Sequence, residues 1–163
     1  MSPPKPVFGP GLISPPASCA WYLRSLPAEN ARFALPEPKV GLAALAGGMH
    51  RLPRTIGLKR AMGMMLTGRR VSAEEGERFG FVNEVVEPAA LLPRALAAAD
   101  AIAANAPLAV RETRRGMREL LHLSLADAWV RQEEIGAPLR RSEDAAEGAR
   151  SFAEKRPPRW QGR

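Results

Sequence analysis

Cysteine is nearly missing from this chain: Cys19 stands alone in 163 residues, so no internal disulfide is possible. It sits beside Trp21 and Tyr22, with no neighbour to share a metal. The two histidines, His50 and His122, have no second histidine or cysteine at ligand spacing, and no metal site is expected. No stretch is long and apolar enough to span a bilayer, and no membrane partner is expected. The N-terminus lacks the basic start, unbroken apolar run and small-residue cleavage site of a secretory signal. Pro3, Pro4, Pro6, Pro10, Pro15 and Pro16 interrupt it. One thiol and no such signal fit a reducing cytoplasm. A Walker loop and a dinucleotide glycine fingerprint are also lacking. Aromatics, at 6%, are scarce.

What is present is ordinary for a globular protein: 45% hydrophobic and 25% charged residues, in a length that suits one domain and one core. Alanine and arginine abound, which favours helices. The net charge of +7 admits two readings at this point. Arginine-rich helices carry a solvated face, or the chain meets an anionic partner such as nucleic acid. The charges are spread over helices and are not run together with aromatics, which argues against nucleic acid.

Residues 1–27 are rich in proline and glycine, keep no period of two or 3.6, and read as a disordered leader. Phe33-Ala34-Leu35 reads as a short strand with Glu37 at its exit, held extended by Pro36 and Pro38. A turn through Met49 to Leu52 leads to a helix from about Thr55 to Leu66. Its methionines fill a core or, less simply, line a pocket. Ser72-Ala73-Glu74-Glu75 has the spacing of a capping box and opens a helix that ends at Gly80. Phe81 to Val86 reads as a strand.

Helices follow over about 91–104 and 108–121. The second of these has an apolar side at Val110, Thr113, Met117, Leu120 and Leu121, and Arg111, Arg114, Arg115 and Arg118 around its back. Ser124 with Asp127 caps a third helix, whose buried line is Leu125, Ala128, Trp129, Gln132 and Ile135 and which ends near Gly136 and Pro138. Ser142, followed by Glu143 and Asp144, caps the last, which packs through Ala145, Ala149, Phe152 and Ala153.

Pro36-Glu37, Val40-Gly41-Leu42, Gly47-Gly48, Arg51-Leu52-Pro53-Arg54, Ile56-Gly57, Leu66-Thr67-Gly68-Arg69 and Ser72-Ala73-Glu74-Glu75 come in quick succession. This string resembles the crotonase (enoyl-CoA hydratase/isomerase) family, from near Ala28-Glu29-Asn30 to Arg163. The resemblance implies an α/β class, a partial crotonase-like fold with few short strands followed by a mostly helical C-terminal part. Residues 28–87 would be a partial core and residues 88–163 a helical oligomerisation region.

The resemblance also implies an acyl-CoA substrate undergoing hydration or double-bond isomerisation, the lyase and isomerase chemistry of fatty acid metabolism. Glu37 inherits the position of a catalytic acid/base. No cofactor is implied beyond coenzyme A, which is part of the substrate. The tail, Phe152-Ala153-Glu154-Lys155-Arg156 with Pro158-Arg159-Trp160 and Gly162-Arg163, is similar to carnitinyl-CoA dehydratase-like members. There a basic residue meets the coenzyme A phosphates, and Lys155 is the candidate. The expected assembly is a homo-trimer or hexamer, or a mixed one with a complete paralogue.

The chain also departs from the family. Ala44 stands where proline is common, and Pro38 where an aliphatic residue is. In relatives an upstream half supplies a first glutamate and two N–H donors for the enolate oxygen, after a glycine-rich turn. No such turn precedes Glu37; Gly9-Pro10-Gly11 reads as a loop and Glu29 as a surface residue. The first catalytic glutamate and the oxyanion hole are therefore expected to be missing, as a frameshift, misplaced start or truncation would leave them. Two alternatives stay open beside the enzyme: a non-catalytic remnant that only oligomerises, and a basic nucleic-acid-binding protein.

Overall fold

The computed structural model describes residues 25–163, and the readings of Cys19 and of most of the leader lie outside them. The chain divides into two compact units at Ala95 and Leu96, and each is taken by itself.

In the first unit, two short strands pair antiparallel. They are β1 (Arg32–Phe33) and β2 (Val71–Ser72), with Phe33 opposite Val71. Helix α1 (Gly48–Ile56) buries Leu52 and Ile56, four residues apart on one face. Helix α2 (Leu58–Thr67) buries Ala61 and Met64, and these four with Val71 make the core. Leu35, Met65, Phe79 and Phe81 pack around it. Of the methionines in question Met64 is core, while Met62 is exposed. Phe81 meets Phe33 edge to face, with ring centroids 5.1 Å apart.

Three local readings change. The strand is two residues, not three, and Glu37 is no strand end; it opens a 3-10 turn, Glu37–Val40. Helix α1 is longer than the turn expected through Met49 to Leu52, and the break falls at Gly57, whose φ of 82° ends α1 before α2 begins. Phe81 to Val86 is not a strand. The N–H groups of Phe81 and Val82 both turn back to the Gly76 carbonyl, and only Val86 bridges, in parallel to Ala28. Asn83 trades hydrogen bonds with Ser25, its Oδ1 accepting from the Ser25 N–H at 2.7 Å. Ser25 and Pro27, at the end of the segment read as leader, are thus paired to residues 83–86.

Ser72 caps α3 (Ala73–Phe79), its Oγ accepting from the Glu75 N–H at 3.2 Å. Only half of the capping box forms. Glu75 turns to Arg69 instead, in two hydrogen bonds of 2.7 and 3.0 Å that hold its carboxyl below the usual range. Helix α4 (Leu91–Ala103) carries the division between the units.

In the second unit α5 (Pro107–Leu120) and α6 (Leu125–Arg140) pack where Gly116 leaves room for Ile135, whose Cδ1 lies 3.5 Å from the position a glycine Cβ would take. Helix α6 runs through Gly136 and Pro138 and does not end there. Pro138 has no N–H to return to the Glu134 carbonyl, and α6 ends two residues later at Arg140. Ser124 and Ser142 cap as expected, accepting from the Asp127 and Ala145 N–H groups.

Of the apolar lines read from periodicity in this unit, Ile135 is buried and several other residues are not. Leu125 is 84% and Trp129 65% exposed, and Met117 and Leu121 face out as well. In α7 (Glu143–Glu154), Phe152 is 87% exposed, while the buried residues are Asp144 and Ser151. No element of the described residues covers those faces.

The tail after α7 folds back along it. Asp144 accepts from the N–H groups of Gln161 at 2.6 Å and Gly162 at 3.0 Å. Glu147 grips Arg156 at 2.6 and 3.0 Å and accepts from the Arg159 N–H. Its pKa falls to about 2, chiefly through the Arg156 hydrogen bond. Trp160 lies against Gly148 and donates its indole N–H to the Ala104 carbonyl at 2.8 Å.

Candidate functional site

Glu37 stands at the head of a tight turn. The Lys39 N–H donates to the Pro36 carbonyl at 2.9 Å, and the Leu42 N–H to the Glu37 carbonyl at 3.0 Å. Gly41, at φ 76°, closes the turn in the left-handed region. With Pro36 before Glu37 and Pro38 after it, few alternative backbone states compete.

The segment is pinned on both sides by one glycine. Gly48, buried at the start of α1, leaves no room for a side chain, since a Cβ there would lie 2.8 Å from Ala44 Cβ and 3.0 Å from Leu35 Cδ1. Leu35 leads into the Glu37 turn and Ala44 leads out. The bare face of Gly48 thus takes the Leu35 and Ala44 side chains at close range. Gly47, at φ 98°, is the left-handed residue that lets α1 start.

Glu37 Oε2 is buried and has no hydrogen-bond partner among the described residues. One other carboxylate oxygen shares that description, Glu112 Oε2, but Arg115 Nη2 lies 2.6 Å from it and supplies a counter-charge. Glu37 has no such ion pair among the described residues. A buried acceptor without a partner costs about 1–3 kcal/mol, and such an oxygen is open to a donor.

The other candidates separate. Lys155 ends α7 at φ 51°, the one non-glycine residue with positive φ among those described, and its side chain is exposed. Glu37 belongs to the first unit and Lys155 to the second. Glu29 is exposed, as expected. His50 is exposed on α1, its carbonyl accepting from Arg54, and His122 is exposed between α5 and α6. Among the described residues no cluster of three or more His, Cys, Asp or Glu could hold a metal, and no helix is long and apolar enough to cross a membrane.

Part of the positive charge is locally matched. Arg115 meets Glu112, Arg131 meets Glu119 and Glu134, Arg140 meets Glu133, and Arg156 meets Glu147 and Glu154. Nothing here points to a nucleic-acid surface. Two residues bearing on the site were missed by sequence reasoning, Lys39 and Gly68. Gly68 was legible as a helix-ending glycine, but its contact with Lys39 was not.

Short strands, a glutamate at the head of a proline-framed turn and a larger helical part define a partial crotonase-like α/β fold. Solved structures agree. Enoyl-CoA hydratase EchA1 from Mycobacterium marinum matches with a TM-score of 0.83 and 45% identity, over 86% of this chain and 58% of that one. An enoyl-CoA hydratase from Bacillus anthracis matches with a TM-score of 0.84 at 34% identity, over 86% and 54%.

The family model for enoyl-CoA hydratase/isomerase matches residues 25–163, and the chain belongs to that family. Among curated relatives, enoyl-CoA hydratase EchA19 of Mycobacterium tuberculosis is 40% identical over 135 residues, 83% of this chain and 51% of the relative. Mevalonyl-coenzyme A hydratase sidH of Aspergillus fumigatus is 41% identical over 140 residues, 81% and 50%. A carnitinyl-CoA dehydratase of Citrobacter koseri is 40% identical over 141 residues, 83% and 54%. The chain spans about half the length of the curated relatives it matches.

Proposed function

We propose that this chain acts on an acyl-CoA thioester, by hydration or double-bond isomerisation, with Glu37 as the acid/base. The observation that carries this reading is the buried, unpartnered Oε2 at the head of a tightly framed turn. Family membership adds the substrate class, since the relatives named above are all hydratases or dehydratases of coenzyme A esters. In isomerisation the carboxylate takes a proton from one carbon, the electron pair moves into a dienolate, and the same proton is returned two carbons along. In hydration a C–O bond forms at the β-carbon as water gives up a proton, and the α-carbon gains one. Either use needs a carboxylate not already neutralised by a cation, as Glu37 is.

The test is turnover of crotonyl-CoA and of a 3-enoyl-CoA by the full chain. Glu37→Gln keeps the shape and removes the base, and it is expected to lower turnover at least about 100-fold. A chain inactive on both substrates, or a Glu37→Gln variant as active as the parent, would sink the reading.

Lys155 is the proposed contact for the coenzyme A phosphates. Its left-handed backbone favours glycine, so a lysine there is kept at a cost of about 1 kcal/mol. Lys155→Gly is therefore expected to raise stability by about 0.5–1 kcal/mol while weakening coenzyme A binding several-fold. Calorimetric titration with coenzyme A decides it; an unchanged Kd removes Lys155 from the site.

A second reading, an assembly module without catalysis, is favoured by the exposure of Leu125, Trp129 and Phe152 in the second unit. Those faces suit a homo-trimer or hexamer, or a mixed assembly with a complete paralogue. Stable oligomers without turnover would be its signature. In the enzyme reading the chain works in the cytoplasm, with coenzyme A entering as part of the substrate.

A further inference from the structure

The turn that carries Glu37 buries no residue of its own and has no side-chain cap. Val40 and Leu42 point outward, more than half exposed. Leu35 and Ala44 are fixed against Gly48, but these flank the turn and leave its apex, Pro38 to Val40, without an apolar anchor.

One contact supplies it. Gly68, the left-handed residue that ends α2, is buried, and a Cβ built there would lie 2.7, 3.1 and 3.2 Å from Cε, Cγ and Cδ of Lys39. Three stem carbons of the lysine therefore run across the bare face of this glycine. Among the other described glycines with positive φ, Gly41, Gly57 and Gly80 would meet nothing within 4 Å and Gly162 only Pro107, while Gly47 meets the guanidinium end of Arg51 and no aliphatic stem. Gly68 thus serves two ends, the φ of 56° that stops the helix and a seat for the lysine stem. Lys39 itself stays exposed, as a long side chain does when its stem packs and its ammonium reaches water. The seat lies at the C-terminal end of α2, where unpaired carbonyls favour a nearby cation.

We propose that Lys39 seated on Gly68 is the clamp that positions Glu37. Lys39 is a positioning residue; it acts through the turn and touches no reacting atom. The proposal rests on the acid/base reading of Glu37. Lys39 lies two residues beyond Glu37, inside the turn that the Leu42 N–H closes on the Glu37 carbonyl, so freedom at the apex becomes freedom at the carboxylate. A misplaced carboxylate lowers the rate of proton transfer more than it lowers substrate affinity.

Gly68→Ala adds a methyl where the lysine stem lies and also strains the backbone at φ 56°, whereas Lys39→Ala removes the stem without that strain, so the two variants together test the clamp. In the full chain, Gly68→Ala and Lys39→Ala are each expected to speed exchange of the Leu42 amide about tenfold and to lower kcat about tenfold at unchanged KM. Lys39→Met keeps the stem and is expected to behave as the parent in both. The Gly68→Ala, Lys39→Ala double variant is expected to be no worse than either single one. Leu42 exchange unchanged in both single variants overturns the clamp, as does Lys39→Met proving as damaging as Lys39→Ala. If Leu42 exchange responds as expected while Glu37→Gln leaves turnover intact, the clamp stands and the acid/base reading falls.

Discussion

Gly48→Ala is expected to lower the stability of the first unit by about 2 kcal/mol, near the middle of the range for overpacking a tight interior. The added Cβ would lie 2.8 Å from Ala44 Cβ, closer than real Cβ atoms come, and 3.0 Å from Leu35 Cδ1. Ala44 has no rotamer with which to retreat. Relief must come from the backbone on one side of the Glu37 turn or from the Leu35 rotamer on the other. Urea denaturation checks it: the midpoint should fall with little change in slope. Gly63→Ala is the matched control. Gly63 lies within α2 with nothing inside 4 Å of its would-be Cβ, so alanine there should gain about 0.5–1 kcal/mol. A Gly48→Ala variant as stable as the parent would mean that the close approach is not a constraint, and the pinning of Leu35 and Ala44 would lose its basis.

That pinning separates what the sequence could and could not tell. Signals acting over three or four residues read well. Ser72, Ser124 and Ser142 each accept from the N–H three residues on, since hydroxyl and amide are brought together by the helix they start. The helix over residues 91–103 and the one ending at Glu154 were legible for the same reason. Periodicity also found the apolar faces of α5, α6 and α7. It could not find what covers them, because a 3.6-residue repeat records which side is apolar and not whether the chain supplies a partner. Trp129 and Phe152 were read as packed and are exposed.

Phe81 to Val86 failed differently. Its β-branched residues fit a strand, but a strand needs a neighbour along its length. Here the Gly76 carbonyl takes two of its amides, and the Asn83 side chain pairs with Ser25. Glu37 was legible only through its motif string. That its Oε2 is orphaned, and that Lys39 seats on Gly68, depend on contacts between segments that no local pattern encodes.

The tail clasp gives the other large effect. Asp144→Ala is expected to cost about 3 kcal/mol and to free the chain beyond Arg156. Asp144 is only 3% exposed, and each of its oxygens accepts from a backbone amide, Gln161 or Gly162. Removing it strands both amides, and hydrogen bonds to a charged group contribute about 1.5–3 kcal/mol each. Glu147 makes the same clasp dependent on pH. Its folded pKa of about 2 lies below that of an ordinary glutamate, so its contribution is present in full above the ordinary value. It is lost as pH falls from there toward about 2, because the unfolded chain takes up the proton first. The Trp160 indole N–H, held by the Ala104 carbonyl, reports the clasp in an NMR spectrum. Its resonance should shift toward the free-indole position over that acid window, and in Asp144→Ala it should be there already at neutral pH. Glu147→Gln should flatten the acid response. An indole signal that ignores both substitutions would show that Trp160 is held by its own contacts with Gly148 and Ala104, with the carboxylates adding nothing.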